Sequence, residues 1–188
     1  MAQPSIYDIK TWSSASFNIK RHEIVEHPAN SHIYYYALKD HQKSLSDFTI
    51  NGYNSEKWTK AEVGINGVTT KHFIWSPSYS TTMTQQPRLK IVRFGVGVEH
   101  RAQDGINTNL LNYDLQFLTR DVYETTAILH FLHQRAGVES FAFNPPKPFM
   151  SNKMFVCEQW ETQTKPREHF DIRAIFRQVK PEPYQLTL

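Results

Sequence analysis

DVYETTAILHFLHQRAGVESFAFNPP, residues Asp121 to Pro146, is the stretch around which the chain is organised. It reads as an amphipathic helix, a glycine stop, and an aromatic strand closed by two prolines. Asp121 is placed to cap the first helical turn, with Glu124 three residues on as the second half of a capping box. Val122, Ile128, Leu129, Phe131, Leu132 and Ala136 then share one broad face, and His130, His133 and Gln134 point away from it. Such a face needs a sheet to cover it. Gly137 supplies the left-handed residue past the helix end. Phe141 and Phe143 alternate with Ser140 and Ala142 as in a half-buried strand, and Asn144, Pro145 and Pro146 end it because consecutive prolines cannot extend a ladder.

Upstream of the helix, Tyr113, Leu115 and Phe117 face one way and Asn112, Asp114 and Gln116 the other, which predicts a strand. Leu89 to Phe94 predicts another, turned back by Gly95-Val96-Gly97 through Val98 to Arg101. Phe73, Ile74 and Trp75 form a short strand halted at Pro77, with a polar linker from Ser78 to Gln86. Downstream, Met154, Val156 and Trp160 alternate in one strand, and Phe170, Ile172, Ala174 and Phe176 in the last. The expected core is Phe117, Ile128, Phe131, Leu132, Phe141, Phe143, Trp160 and Phe176. Sheets packed around a single helix are the simplest architecture for this order, so the fold class is mainly β.

Residues 1 to 70 have a different texture: Trp12, Phe17, Tyr34, Tyr35, Tyr36, Phe48, Tyr53 and Trp58 stand among Ser, Asn and His without a helical stripe. Asn51-Gly52 and Asn66-Gly67 are hairpin-type turn signals. The chain divides accordingly into a small aromatic-rich β module, 1–70, and a larger domain, 71–188. Its 188 residues suffice for one domain with such an accessory.

Composition narrows the function. The net charge of +3 comes from scattered Lys and Arg, not a basic arm, which disfavours nucleic-acid binding as a primary role. No run of 18 apolar residues suggests a membrane span. A single cysteine, Cys157, forms neither an internal disulfide nor a cysteine zinc cluster, and its place beside Phe155 and Val156 marks it as a buried thiol. His22, His27, His32 and His41 lie too far apart on presumed strands for a preformed metal site, and His130 with His133 lacks a third ligand. Gly95-x-Gly97 leads into a strand and not a helix, against a dinucleotide loop. Asp104, Asp114, Glu158 and Glu161 show no catalytic spacing. Neither an enzyme nor a cofactor is expected.

A longer pattern emerges when the fragments are taken in order. Phe73-Ile74-Trp75-x-Pro77 is followed by Pro87-Arg88, Phe94-Gly95-Val96-Gly97 with Arg101, and Gly105-Ile106-Asn107. Tyr113, Phe117, Arg120 and Glu124 come next, then Phe131-Leu132, Gly137 and Phe141-x-Phe143-x-Pro145-Pro146. Phe155-Val156-Cys157 with Trp160, and Ala174-x-Phe176-x-Gln178-Val179, complete the run. Over residues 72–179 this order resembles the minor tail protein family of long-tailed bacteriophages, the M-like group of phage lambda. The family usually has Phe-Gly-Asp-Gly-Tyr at the turn, where this chain has Val96 and Val98 in place of Asp and Tyr, and its lambda-like members lack a counterpart of residues 1–70.

The resemblance implies a tail-tube-like β-sandwich with a flanking helix, made in the host bacterial cytoplasm and built into the virion. It implies a homohexameric ring at the distal end of the tail tube, contacting the tube protein on one side and tip or baseplate hub proteins on the other, with the lumen as a passage for DNA. The loop from Ser76 to Pro87 and the turn carrying Phe94, Gly95, Gly97 and Arg101 are the expected subunit contacts. An alternative of another class rests on the amino-terminal module, where Trp12, Tyr34, Tyr36 and Trp58 resemble the aromatic platforms of small carbohydrate-binding modules. On that reading the chain is a virion accessory protein that binds host surface glycan; otherwise the same residues contact a neighbouring tail protein.

Overall fold

A computed structural model describes residues 5–6, 9–12, 18–49, 52–65, 68–106, 109–148 and 151–180. Phe17, Asn51, Asn66, Gly67 and Asn107, which carry sequence signals, lie outside the described residues.

The first part of the chain is a set of short strands: β1 (Lys10–Thr11), β2 (Asn18–Ile19), β3 (Ile24–Glu26), β4 (Tyr34–Ala37), β5 (His41–Gln42), β6 (Phe48–Thr49), β7 (Gly52–Tyr53) and β8 (Trp58–Thr59). Among the described residues β1, β3, β4 and β8 form one four-stranded sheet, with β2–β5 and β6–β7 as separate pairs. Three consecutive tyrosines in β4 are explained by the period of a strand, which sends neighbours to opposite faces. Tyr35 and Ala37 join Ile19, Val25, Phe48 and Trp58 in a small core. Tyr36, with Ile24 opposite it, turns to the other side and enters the main core of the protein. Asp47 is fully buried in this part, and Lys57 Nζ at 2.7 Å with the Ser44 N–H at 3.0 Å satisfies its carboxylate. A buried charge of this kind is tolerated only when so paired.

The larger sheet is built from β9 (Glu62–Ile65), β10 (Val68–Phe73), β11 (Thr82–Gln85), β14 (Leu111–Arg120), β15 (Phe141–Phe143), β16 (Lys153–Lys165) and β17 (His169–Val179). Two further strands, β12 (Leu89–Arg93) and β13 (Glu99–Gln103), pair only with each other among the described residues. The seven strands run in the order β11-β14-β17-β16-β15-β10-β9, antiparallel except for the β10–β15 pair. β10 runs through residue 70, where the change of texture divides the sequence, and its hairpin partner β9 belongs to the larger sheet. The short strand expected at Phe73–Trp75 is the end of this longer one. Within the expected polar linker Ser78–Gln86, Thr82–Gln85 forms an edge strand against Leu111–Asp114.

The helix α1 (Val122–Arg135), the α-helix among the described residues, starts where the sequence places it. Asp121 accepts the Glu124 N–H at 2.8 Å, a cap that stabilises a helix by about 1 kcal/mol. The reciprocal half of the capping box is absent, because Glu124 Oε1 instead takes Arg120 Nη1 at 2.9 Å. Ala136 (φ 48°) is the left-handed cap, one residue before Gly137 (φ 73°). Ile128, Phe131 and Leu132 face the sheet as expected. Two assignments change: His130 is buried and Ala136 is exposed. The imidazole is covered by Tyr34 and Tyr36 of the small sheet, whose rings lie 4.6 and 6.2 Å from it.

The main core contains Phe117, Ile128, Phe131, Leu132, Phe141, Phe143 and Phe176 with Trp160 packed at its side. Phe73 sits among these rings, edge-on to Phe176 at 5.0 Å and to Phe131 at 5.6 Å. Each such pair adds about 0.5–1.5 kcal/mol to the burial of the rings. In β16 the expected alternating set Met154, Val156 and Trp160 does not share one face, since Met154 and Val156 are buried but belong to neither core cluster. Phe155 and Cys157 face the core, and a bulge between Cys157 and Gln159 switches the alternation so that Trp160 follows them inward.

Candidate assembly surface

The β12–β13 hairpin leaves the body of the protein uncovered on both faces. Leu89 stands opposite Gln103, Ile91 opposite Arg101 and Arg93 opposite Glu99, and the Phe94 N–H donates to Val98 O at 2.8 Å below the tip. At its base the Asp104 N–H donates to Arg88 O at 3.1 Å. Glu99 draws Arg101 and Arg93 to one side of the neck. Such exposed pairs contribute at most about 1 kcal/mol each.

Every residue of both strands is exposed, and neither core cluster includes a hairpin residue. The exposed set is nonetheless apolar: Leu89, Ile91 and Val92 along the strands, then Phe94, Val96 and Val98 at the end. An isolated two-stranded hairpin is marginal in water, and an apolar one gains most from being covered. The tip carries strain as well. Gly97 (φ 78°) takes a left-handed conformation that glycine adopts freely, but Val96 takes one too (φ 74°). For a β-branched residue this costs about 1–2 kcal/mol. Val96 is fully exposed, so no contact within the chain offsets the cost. Of the four residues expected at this contact, Phe94, Gly95, Gly97 and Arg101, all lie on the hairpin.

The other expected contact, Ser76 to Pro87, is held across β14. The Ser78 N–H donates to Gln116 O at 2.7 Å, and Ser78 Oγ accepts from Leu118 N–H at 2.9 Å. Between this loop and the loop after β15 lies a groove of about 590 Å3. Trp75 and Tyr113 are buried at its side, and neither Trp75 Nε1 nor Tyr113 Oη has a hydrogen-bond partner among the described residues. Desolvation raises the pKa of Tyr113 and lowers that of His72, so both are neutral at pH 7. Lys147 stands at the groove as its charged side chain.

The four residues suggested for glycan stacking do not form a platform. Trp58 and Tyr36 are buried, the first in the small core and the second against Trp75 at 5.3 Å. Trp12 is half-buried, edge-on to Phe48 at 4.7 Å, with Lys43 Nζ 4.1 Å over its ring. Tyr34 is half-buried against His130. A sugar ring needs an open aromatic face; those of Trp12 and Trp58 are spent on the small core, and those of Tyr34 and Tyr36 on the helix and the main core.

The polar residues weighed for chemistry are tied up separately. Cys157 Sγ donates to Gln159 O at 3.4 Å, and burial pushes its pKa up to about 12, which keeps it a thiol. Arg173 holds Asp114, whose pKa it lowers, and reaches Glu161 at 3.6 Å, while Arg177 holds Glu158 and Arg88 holds Asp104. Among the described residues no cluster of His, Cys, Asp and Glu has the arrangement to hold a metal ion. His130 and His133 do not share an outer face, since the first is buried and the second exposed. No helix among the described residues is long and apolar enough to cross a membrane.

In class the chain is a mainly β body with one packed helix and an exposed apolar hairpin. The comparisons with known proteins give that class a family. A model of the family described as phage minor tail protein matches residues 71–180. The tail tip protein M of Escherichia phage lambda is 31% identical over 109 residues, covering 58% of this chain and 97% of that protein. The chain belongs to the phage minor tail protein family, and a phage tail protein is a component of the virion. Residues 1–70 lie outside the matched region.

Proposed function

We propose that this protein is a structural subunit of the tail tip. It forms a ring, six copies in the family's expected arrangement, at the distal end of the tail tube. The tube protein lies on one side of the ring and the tip or baseplate hub on the other, with DNA passing through the lumen without specific contact. The observation that carries this reading is the β12–β13 hairpin, whose exposed apolar side chains have no partner in their own chain among the described residues. Family membership and the similarity to the tail tip protein of phage lambda support the place. The role is one of assembly, with no step of chemistry. The amino-terminal strands, packed on α1 through Tyr34 and Tyr36, give the ring a decorated flank that docks a neighbouring tail protein.

Gold-labelled antibody against the amino-terminal part, imaged on particles in which mass spectrometry finds the protein, tests the placement. Label at the far end of the tail supports it. Label along the shaft or at the head refutes it, as does a mass-spectrometric search that finds no such particles.

A further inference from the structure

The hairpin tip and the groove beside Trp75 have properties that match each other. From Phe73 to Pro87 the sequence contains no Asp, Glu, Lys or Arg, and from Phe94 to Val98 it contains none either. The tip presents Phe94, Val96 and Val98 to solvent. The groove, at about 590 Å3, is in the size range that encloses several side chains. Its sides are aromatic, from Trp75, Tyr79 and Tyr113, with Met83 from the edge strand. Lys147 is the charged residue of the groove, and the charges below the tip, Arg93, Glu99 and Arg101, pair with one another. Within one chain no residue of the hairpin lines the groove.

We propose that the hairpin tip of one copy seats in the groove of a second copy, with Val96 as the plug. This deepens the tail-tip reading, on which it rests, by naming the partner surface. The strained backbone of Val96 fits such a role, since strain without an intramolecular return is kept where a contact made on assembly offsets it. Knob and hole lie on different surfaces of the same chain, so a ring is formed by a head-to-tail contact that propagates from copy to copy until the rotation closes. The competing arrangement is a reciprocal two-fold dimer, with each tip in the other copy's groove, and it closes at two copies instead of propagating.

The full-length protein with Val96→Cys and Tyr79→Cys together, oxidised at concentrations where it associates, is expected to give a ladder of disulfide-linked multimers. Either single variant should give no ladder, and the native Cys157 is buried. In parallel, Val96→Asn places a residue at home in the left-handed region. It is expected not to lower Tm, while moving the association midpoint in analytical ultracentrifugation about thirtyfold higher in concentration, as loss of a buried anchor does. Association of the double cysteine variant without a ladder, or of Val96→Asn at the wild-type midpoint, overturns the inference. A wild-type protein that remains monomeric throughout the concentration series also overturns it. None of these results moves the antibody label on particles, so the inference can fail while the tail-tip placement stands, and the placement can fail while the ladder forms.

Discussion

Replacing His130 with Gln should remove a pH dependence that the packing of the amino-terminal strands on the helix creates. His130 is 4% exposed, its Nδ1 is 3.3 Å from Tyr36 Oη, and Tyr34 covers its ring. Burial, followed by the positive charges of Arg135 and His133, lowers its pKa from 6.5 to about 4. As pH falls, the unfolded chain therefore takes up the proton first. The contribution of this group to stability is intact above pH 6.5 and is lost progressively as pH falls toward 4. Between about pH 7.5 and about pH 4.5 the loss amounts to about 2.5 kcal/mol, on the conversion of about 1.4 kcal/mol per pKa unit. Glutamine does not titrate, and its amide can still meet the Tyr36 hydroxyl. Urea unfolding of both proteins at the two pH values isolates the effect, since carboxylates common to both cancel in the difference. The wild type is expected to lose about 2.5 kcal/mol more than the variant. Equal losses would refute the account of a neutral imidazole enclosed by Tyr34 and Tyr36.

Leu132→Asp puts a carboxylate at a buried position facing the sheet, at a cost of several kcal/mol; the variant should be insoluble or lack a cooperative thermal transition, and a soluble variant with wild-type circular dichroism would contradict the packing. Asp121→Ala removes the acceptor for the Glu124 N–H and should lower stability by about 1 kcal/mol in urea unfolding. Cys157, with its pKa pushed up to about 12, should resist a thiol reagent at about pH 8 in the native protein and react at once in urea. Native-state labelling at the denatured rate would mean that β16 opens.

The elements nearest the helix were legible because their chemistry is local. Asp121 caps the turn that begins beside it, the apolar spacing of Ile128, Phe131 and Leu132 sets a helical face, and Tyr113, Leu115 and Phe117 set a strand face. The departures arise where the deciding partner is distant. His130 reads as polar and outward, yet Tyr36 covers it from 94 positions away. Thr82–Gln85 has no apolar alternation and becomes a strand only through its ladder with Leu111–Asp114. In β16 both Met154–Val156 and Phe155–Cys157 are apolar enough to face inward, and the bulge that decides between them leaves no mark in composition. Trp58 and Tyr36 share the residue type of a binding platform, but Trp58 fills the small core of the module and Tyr36 the main core beside it. The hairpin was legible from Gly95-x-Gly97 alone, whereas its isolation from both sheets was not.

A cryo-electron microscopy map of the distal end of the tail, at a resolution that shows side chains, tests the central claim most directly. The account predicts a closed ring of copies of this chain between tube and tip, with the β12–β13 hairpin of each copy buried at a boundary with its neighbour. A map in which the chain is absent from the tip, or in which every hairpin from Leu89 to Gln103 stands free in solvent, would contradict it.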